Sequence, residues 1–178
     1  MPTLPSPRRL HPFPMIRSGG LFVVFAGVGI VVGTFAGGAQ AASRPIFFIA
    51  TGIGLTLLFA LGDRLSYGSP SRTQLVALYG AILLEVLLFV ALPVFLHTPS
   101  ARVFWLWALV VVGVHFLPMG VAFGPAIGLL GGLCILNAGA GLLLSRVPFL
   151  VFGVVDGLLK MAFGMRMVLA RPAPERDT

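Results

Sequence analysis

Apolar residues fill six long stretches of the chain, at Gly19–Ala41, Pro45–Gly62, Gln74–Leu96, Val103 to about Val121, Ala122–Leu144 and Pro148–Leu169, with polar residues mostly between them. The stretches lack both the strict alternation of a half-buried strand and the single apolar stripe of a helix on a soluble core. A helix of about 20 apolar residues crosses the ~30 Å hydrocarbon layer of a bilayer. Each stretch is therefore the size of a membrane span, the second at the short end. The pattern predicts an all-α integral membrane protein, a six-helix transmembrane bundle over residues 19–169. A proline-rich, disordered cytoplasmic tail over 1–18 and a short tail over 170–178 flank it.

Composition leads to the same class. Of 178 residues, 58% are hydrophobic and only 10% charged, more apolar surface than a soluble domain of this size can bury. Lipid is the expected solvent, and six spans leave no room for a separate soluble domain. The net charge of +7 comes from basic residues scattered singly along loops and ends. Nucleic acid is excluded as a partner, because no clustered stripe is present to track a phosphate backbone. Such an excess suits anionic lipid headgroups and the cytoplasmic bias of basic loops. The single cysteine, Cys134, lies inside an apolar run and rules out an intrachain disulfide. Eleven of the twelve basic residues are arginine, and Ala, Gly, Val and Leu dominate, the usage of a GC-rich bacterial genome. A bacterial inner (plasma) membrane is the expected location.

Ala39-Gln40-Ala41 reads as a small-x-small cleavage site after a basic region and an apolar stretch. Cleavage would leave five spans. The stretch exceeds the usual apolar core of a signal peptide and carries packing glycines, so the first span is expected to be retained. Orientation follows from arginine. With the N-terminus inside, cytoplasmic segments carry Arg8, Arg9, Arg17, Arg64, Arg72, Arg166, Arg171 and Arg176, and outer loops carry Arg44, Arg102 and Arg146. Both termini are expected to be cytoplasmic, with Trp105 and Trp107 at the outer interface.

Helices in lipid associate largely through close approach of backbones at small residues. Gly29, Gly33 and Gly37 recur in the first run, Gly124, Gly128 and Gly132 in the fifth, and Gly153, Gly157 and Gly164 in the sixth. These stripes predict tight packing within the bundle or across a homo-oligomer. No charge separates the fourth and fifth runs, so the turn there must be tight. Pro118 predicts that the fourth helix kinks or ends near Leu117, and Pro125 that the fifth begins near Phe123.

Glu85, His115, Asp156 and Lys160 lie well inside spans. At about 1.5 Å per residue, all of them fall in one central layer. Asp156 and Lys160 are four residues apart with the acid first, the favourable order for a pair on one helix. Lys160 or His115 could reach the Glu85 carboxylate. Ionisable groups at this depth are costly, and by default they face the bundle interior and mark function. Two acids against one lysine leave a formal charge of −1, which favours holding a proton or a cation. Equally, the charges could simply join helices. Asn137 reads as a hydrogen bond between helices. An inverted repeat of three spans, with an acid in the third and sixth, would fit the charges, although the Pro-broken segment has no counterpart in the first half.

No nucleotide-binding loop, zinc-type His/Glu arrangement or nucleophile elbow is present, so no catalytic residue, metal site or cofactor is expected and the chain is not read as an enzyme. His115-Phe116-Leu117-Pro118, Asn137-Ala138 and Val155-Asp156-Gly157-Leu158-Leu159-Lys160 resemble a family of small bacterial integral membrane proteins known only as a domain of unknown function. That resemblance covers about half of the chain and implies the architecture alone. Two function classes follow: a small transporter or channel using the central layer for a proton or cation, or a membrane assembly, stress or partner-binding protein whose charges are structural.

Overall fold

In the computed structural model, residues 11–37, 43–97 and 100–171 are described, and every regular element among them is an α-helix. The helices are α1 (Ile16–Gly37), α2 (Ser43–Ala60), the single turn α3 (Gly62–Leu65), α4 (Arg72–Leu96), α5 (Ala101–Phe123), α6 (Pro125–Leu143) and α7 (Phe149–Val168). By length and composition α1, α4, α5 and α6 can each cross a membrane. Four such helices mark the chain as a multi-pass membrane protein. The helix α2 is shorter, and α7 carries Asp156, Lys160 and Arg166.

Local chemistry explains the boundaries. At the start of α4, Ser71 and Gln74 form a reciprocal capping box, with Gln74 N–H donating to Ser71 Oγ at 3.2 Å and Ser71 N–H to Gln74 Oε1 at 2.9 Å. The fourth span does not end near Leu117; α5 continues through Pro118 to Phe123. A proline removes one amide donor, a loss that packing against neighbouring helices tolerates. The reversal falls instead at Gly124, where φ is +102°, and Pro125 opens α6 at once. Only glycine takes that backbone angle cheaply.

The expected tail is also shorter than 1–18. Residues 11–15 are folded onto the α3–α4 connection: Tyr67 N–H donates to the Pro14 carbonyl at 3.0 Å, and Gln74 Nε2 to that of Pro12 at 2.9 Å. These long-range hydrogen bonds hold a proline-rich stretch whose composition alone predicts disorder. Residues 1–10, the Ala39-Gln40-Ala41 site and the chain end after 171 lie outside the described residues.

The helix α1 packs most extensively on α7 and, on another side, on α2; α5 packs on α6, and α6 on α7 closes the centre. Among the described helices, the backbone of α4 comes close only to that of α5, although Leu78 and Ala81 share a buried cluster with Leu58 of α2 and Val23 of α1. Because the backbones of α6 and α7 pack while those of α2 and α4 stay apart, the two halves are packed differently, unlike a repeat.

Hydrogen bonds define the ends of the bundle. At one end Arg17 Nε donates to the Val168 carbonyl at 3.0 Å, and Tyr67 Oη to that of Ala170 at 2.7 Å. The ring of Phe13 lies against the Gly124 turn at this same end. At the other end Arg102 Nη2 donates to the carbonyls of Gly141, Leu144 and Val147 at 2.7, 3.1 and 3.2 Å, satisfying acceptors that the end of α6 leaves free. Apart from α3, successive helices thus alternate in direction, and the chain enters and leaves at the same end.

Two apolar clusters fill the interior. One, around Val23, Phe116, Phe123, Ile127 and Met167, lies toward the end where α1 begins and α7 finishes. The second gathers Ile30, Phe47, Leu106, Leu109 and Phe152 toward the Arg102 end. Trp105 belongs to this second cluster: it is only 6% exposed and stacks edge-on against Phe47 and Phe104. Trp105 thus turns into the bundle near the Arg102 end, whereas Trp107, about 200° round the same helix, is exposed. Successive residues on a helix point about 100° apart, so two tryptophans separated by one position cannot share a face.

Candidate functional site

The polar residues fall where one apolar cluster gives way to the other. Along α4, Glu85 follows Leu78 and Ala81 of the first cluster; along α7, Asp156 follows Phe152 of the second. Helix α5 contributes His115 and α7 contributes Asp156 and Lys160, so three helices build the layer.

Asp156 and Lys160 are both 0% exposed, and the Lys160 ammonium donates to Asp156 Oδ2 across one helical turn. Its remaining surroundings are also electron-rich. Nζ lies 3.4 Å from Cys134 Sγ on α6 and 5.7 Å from the centre of the Phe116 ring on α5. An ammonium has three N–H donors, and a carboxylate, a sulfur and an aromatic face meet them. Oδ1 of Asp156 is buried without a hydrogen-bond partner. The pair is thus neutral in sum, sealed from solvent and one acceptor short of full satisfaction.

Glu85 and His115 form a second pair, more open on one side. Nδ1 of His115 lies 3.7 Å from Glu85 Oε1, beyond a direct hydrogen bond. The His115 side chain is 2% exposed and that of Glu85 24%. Neither ring nitrogen of His115 reaches full hydrogen-bond geometry, and the Val112 carbonyl one turn earlier offers a weaker contact. The Lys160 charge acts on both Glu85 and His115, which couples the two pairs electrostatically. All four residues singled out by depth therefore interact in one layer.

Cys134, set in an apolar run of the sequence, is buried, and its sulfur accepts from Lys160. Comparing its depth in the fifth run with that of Lys160 in the sixth is the signal that could have found it. Asn137, one turn further along α6, donates from Nδ2 to the Phe152 carbonyl at 2.9 Å and ties α6 to α7. No group of three or more His, Cys, Asp or Glu side chains among the described residues is arranged to hold a metal ion.

The glycines divide by partner. A Cβ at Gly157 would meet the Gly27 carbonyl at 2.8 Å, and one at Gly164 the Gly20 carbonyl at 2.7 Å, so α1 and α7 approach backbone to backbone. Gly153 faces Thr34 on the same interface, and Gly29 faces α2 beside Phe47 and Ala50. Gly33 borders a small apolar cavity with Trp105, and the surroundings of Gly37 lie outside the described residues. In α6, Gly124 is the turn and Gly128 lies loosely beside Gly120. Within the chain a Cβ at Gly132 would meet no atom of the described residues within 4 Å, and the contact inside the bundle is made by its neighbour Gly131, against the Gly113 carbonyl. A four-residue repeat drawn one position off rotates the predicted contact by about 100°.

A neutral ion pair sealed beside a half-open carboxylate–imidazole pair, inside a bundle of membrane-spanning helices, defines a multi-pass membrane protein with an ionisable central layer. Residues 8–176 match the model of a family of unknown function, DUF6609, and the chain belongs to that family. No curated protein and no solved structure matches the chain.

Proposed function

We propose that the chain is a small six-span transporter of the bacterial inner membrane, with both termini cytoplasmic, in which Glu85 is the group that binds a proton or cation. Six crossings are supported by the alternation of the helix ends. The 18 residues of α2 span about 27 Å, a mismatch that costs only fractions of a kcal/mol per Å. In α7, Asp156 and Lys160 would each cost about 2.5–3.5 kcal/mol at mid-membrane, and their mutual neutralisation offsets much of that. Among the described residues Arg17, Arg64, Arg72, Arg166 and Arg171 lie at or near the end where α1 begins and α7 finishes, which supports its placement in the cytoplasm.

The observation that carries the functional reading is the contrast between the two pairs. Lys160 is fully engaged with Asp156, so the one remaining acid, Glu85, faces only the unengaged His115 at 3.7 Å and is 24% exposed. A carboxyl group that only joined helices would be buried against a donor within hydrogen-bond distance. The structural reading is favoured for the Asp156–Lys160 pair by its complete burial, and that pair is assigned to holding α7 in place.

Flux of protons, sodium, potassium or an organic cation into proteoliposomes tests the proposal. Wild-type protein should carry at least one of these ions, and Glu85→Gln should abolish the flux while leaving a monodisperse, folded protein. Absence of any flux from the wild type, or full flux from Glu85→Gln, overturns it.

A further inference from the structure

We infer that the ligand of Glu85 is a lipophilic organic cation that enters from the lipid along the seam between α4 and α5; this rests on reading Glu85 as the cation-binding group. Charge comes first. Asp156 and Lys160 cancel, so an ionised Glu85 leaves the layer with one negative charge. Nothing around it resembles the cage of about six oxygens that a bare hard cation requires, and no metal-type ligand group occurs among the described residues.

The approach to Glu85 is apolar. A groove of about 390 Å³ runs between α4 and α5, lined by Leu88, Leu92, Phe95, Trp107, Val111 and Val114 among others. Leu88 and Leu92 follow Glu85 by three and seven residues on one face of α4, while Val111 and Val114 precede His115 by four and one on α5. The foot of the groove, at Leu88, Val111 and Val114, thus lies about one helical turn from Glu85 and beside His115 in the chain, although neither lines it. Its volume falls within the roughly 300–1,000 Å³ typical of small-molecule pockets. A hydrated inorganic ion would have to shed its water against these walls at prohibitive cost. A cation shielded by its own aryl or alkyl groups carries little water to lose, and its apolar substituents match the walls while its charge matches the foot. Beyond Glu85 toward the Leu96 end, the backbone of α4 comes close only to that of α5, so this part of the seam is bounded by two helices.

Binding of radiolabelled tetraphenylphosphonium to the full chain in lipid nanodiscs tests this. Wild-type protein should bind it saturably, and Glu85→Gln should weaken binding by about tenfold or more. Leu92→Trp, which fills the groove and leaves the carboxylate intact, should do the same and guards against misfolding of the first variant. Triphenylphosphine oxide, a neutral aryl analogue, should fail to compete. Unchanged binding in Glu85→Gln, or equal competition by the neutral analogue, overturns the inference. Where the wild type binds no phosphonium yet carries protons or metal cations in a Glu85-dependent way, the organic-cation inference falls and the transport reading stands; where it does neither, both fall.

Discussion

Replacing Lys160 with methionine keeps the length of the side chain and removes its charge, leaving Asp156 alone in a fully buried position. Oδ1 of Asp156 already lacks a partner, and Oδ2 would lose its own. Breaking a buried ion pair from one side costs about 3–5 kcal/mol, because the survivor stays desolvated without compensation. Loss of the contacts to Cys134 and the Phe116 face adds to that. For a chain of this size each kcal/mol lowers the unfolding midpoint by about 2–4 °C, so Lys160→Met should unfold roughly 6–20 °C below wild type in detergent or nanodiscs. Removing both charges together, as Asp156→Leu with Lys160→Met, should return stability to within about 1 kcal/mol of wild type, since apolar replacements of a buried pair are often neutral or better. The double variant is then more stable than either single one. A shift below about 2 °C for Lys160→Met, or a double variant weaker than the single, would refute the assignment of the pair to structural support. Adding Glu85→Gln to Lys160→Met should further show coupling on the order of 1 kcal/mol, and strict additivity would mean that the Lys160 charge does not reach Glu85.

Gly157→Leu should destabilise the chain by about 1–3 kcal/mol or more, because the Gly27 carbonyl occupies the space its Cβ needs, whereas Gly132→Leu should leave the unfolding midpoint unchanged. Equal effects of the two variants would show that α1 and α7 do not approach as described. Arg102→Gln removes a charged donor from the carbonyls of Gly141, Leu144 and Val147 and should speed hydrogen–deuterium exchange through residues 141–151. Unchanged protection there would mean that water serves those carbonyls equally well. A reporter fused after Thr178 should be active in the cytoplasm, and the purified chain should have the mass of all 178 residues; an external reporter or a mass lacking residues 1–41 would sink the corresponding half of the topology.

The helices were legible because a run of apolar residues long enough to cross a bilayer has few alternatives in three dimensions. Helix limits moved by only a few residues, except where chemistry outside the run intervened. Pro12 and Pro14 are ordered by Gln74 and Tyr67, more than fifty residues away, and no local signal announces such bonds. Depth along a span located the polar layer, since position in an uninterrupted helix converts directly into height. Rotation about the helix axis was not available from the same count, so the faces that Trp105 and Gly132 present were not legible in the sequence.

That gap has one physical cause. In a soluble protein the buried face of a helix is the apolar one, so the sequence reports rotation through its own periodicity. In lipid both faces are apolar, and Leu83, Val90 and Val94 on the open side of α4 are no more polar than the residues it turns toward α5. Contact is then decided by which neighbouring backbone comes close, information that resides in another helix. Only groups too polar for lipid escape this ambiguity. Asp156, Lys160 and His115 must turn inward whatever their neighbours are, and their burial fixes the rotation of α5 and α7. Glu85 follows the rule incompletely, with about a quarter of its side chain exposed on the most loosely held of the long helices. Partial burial of an acid near mid-span is therefore the one departure among the four groups from the inward turn that polarity imposes.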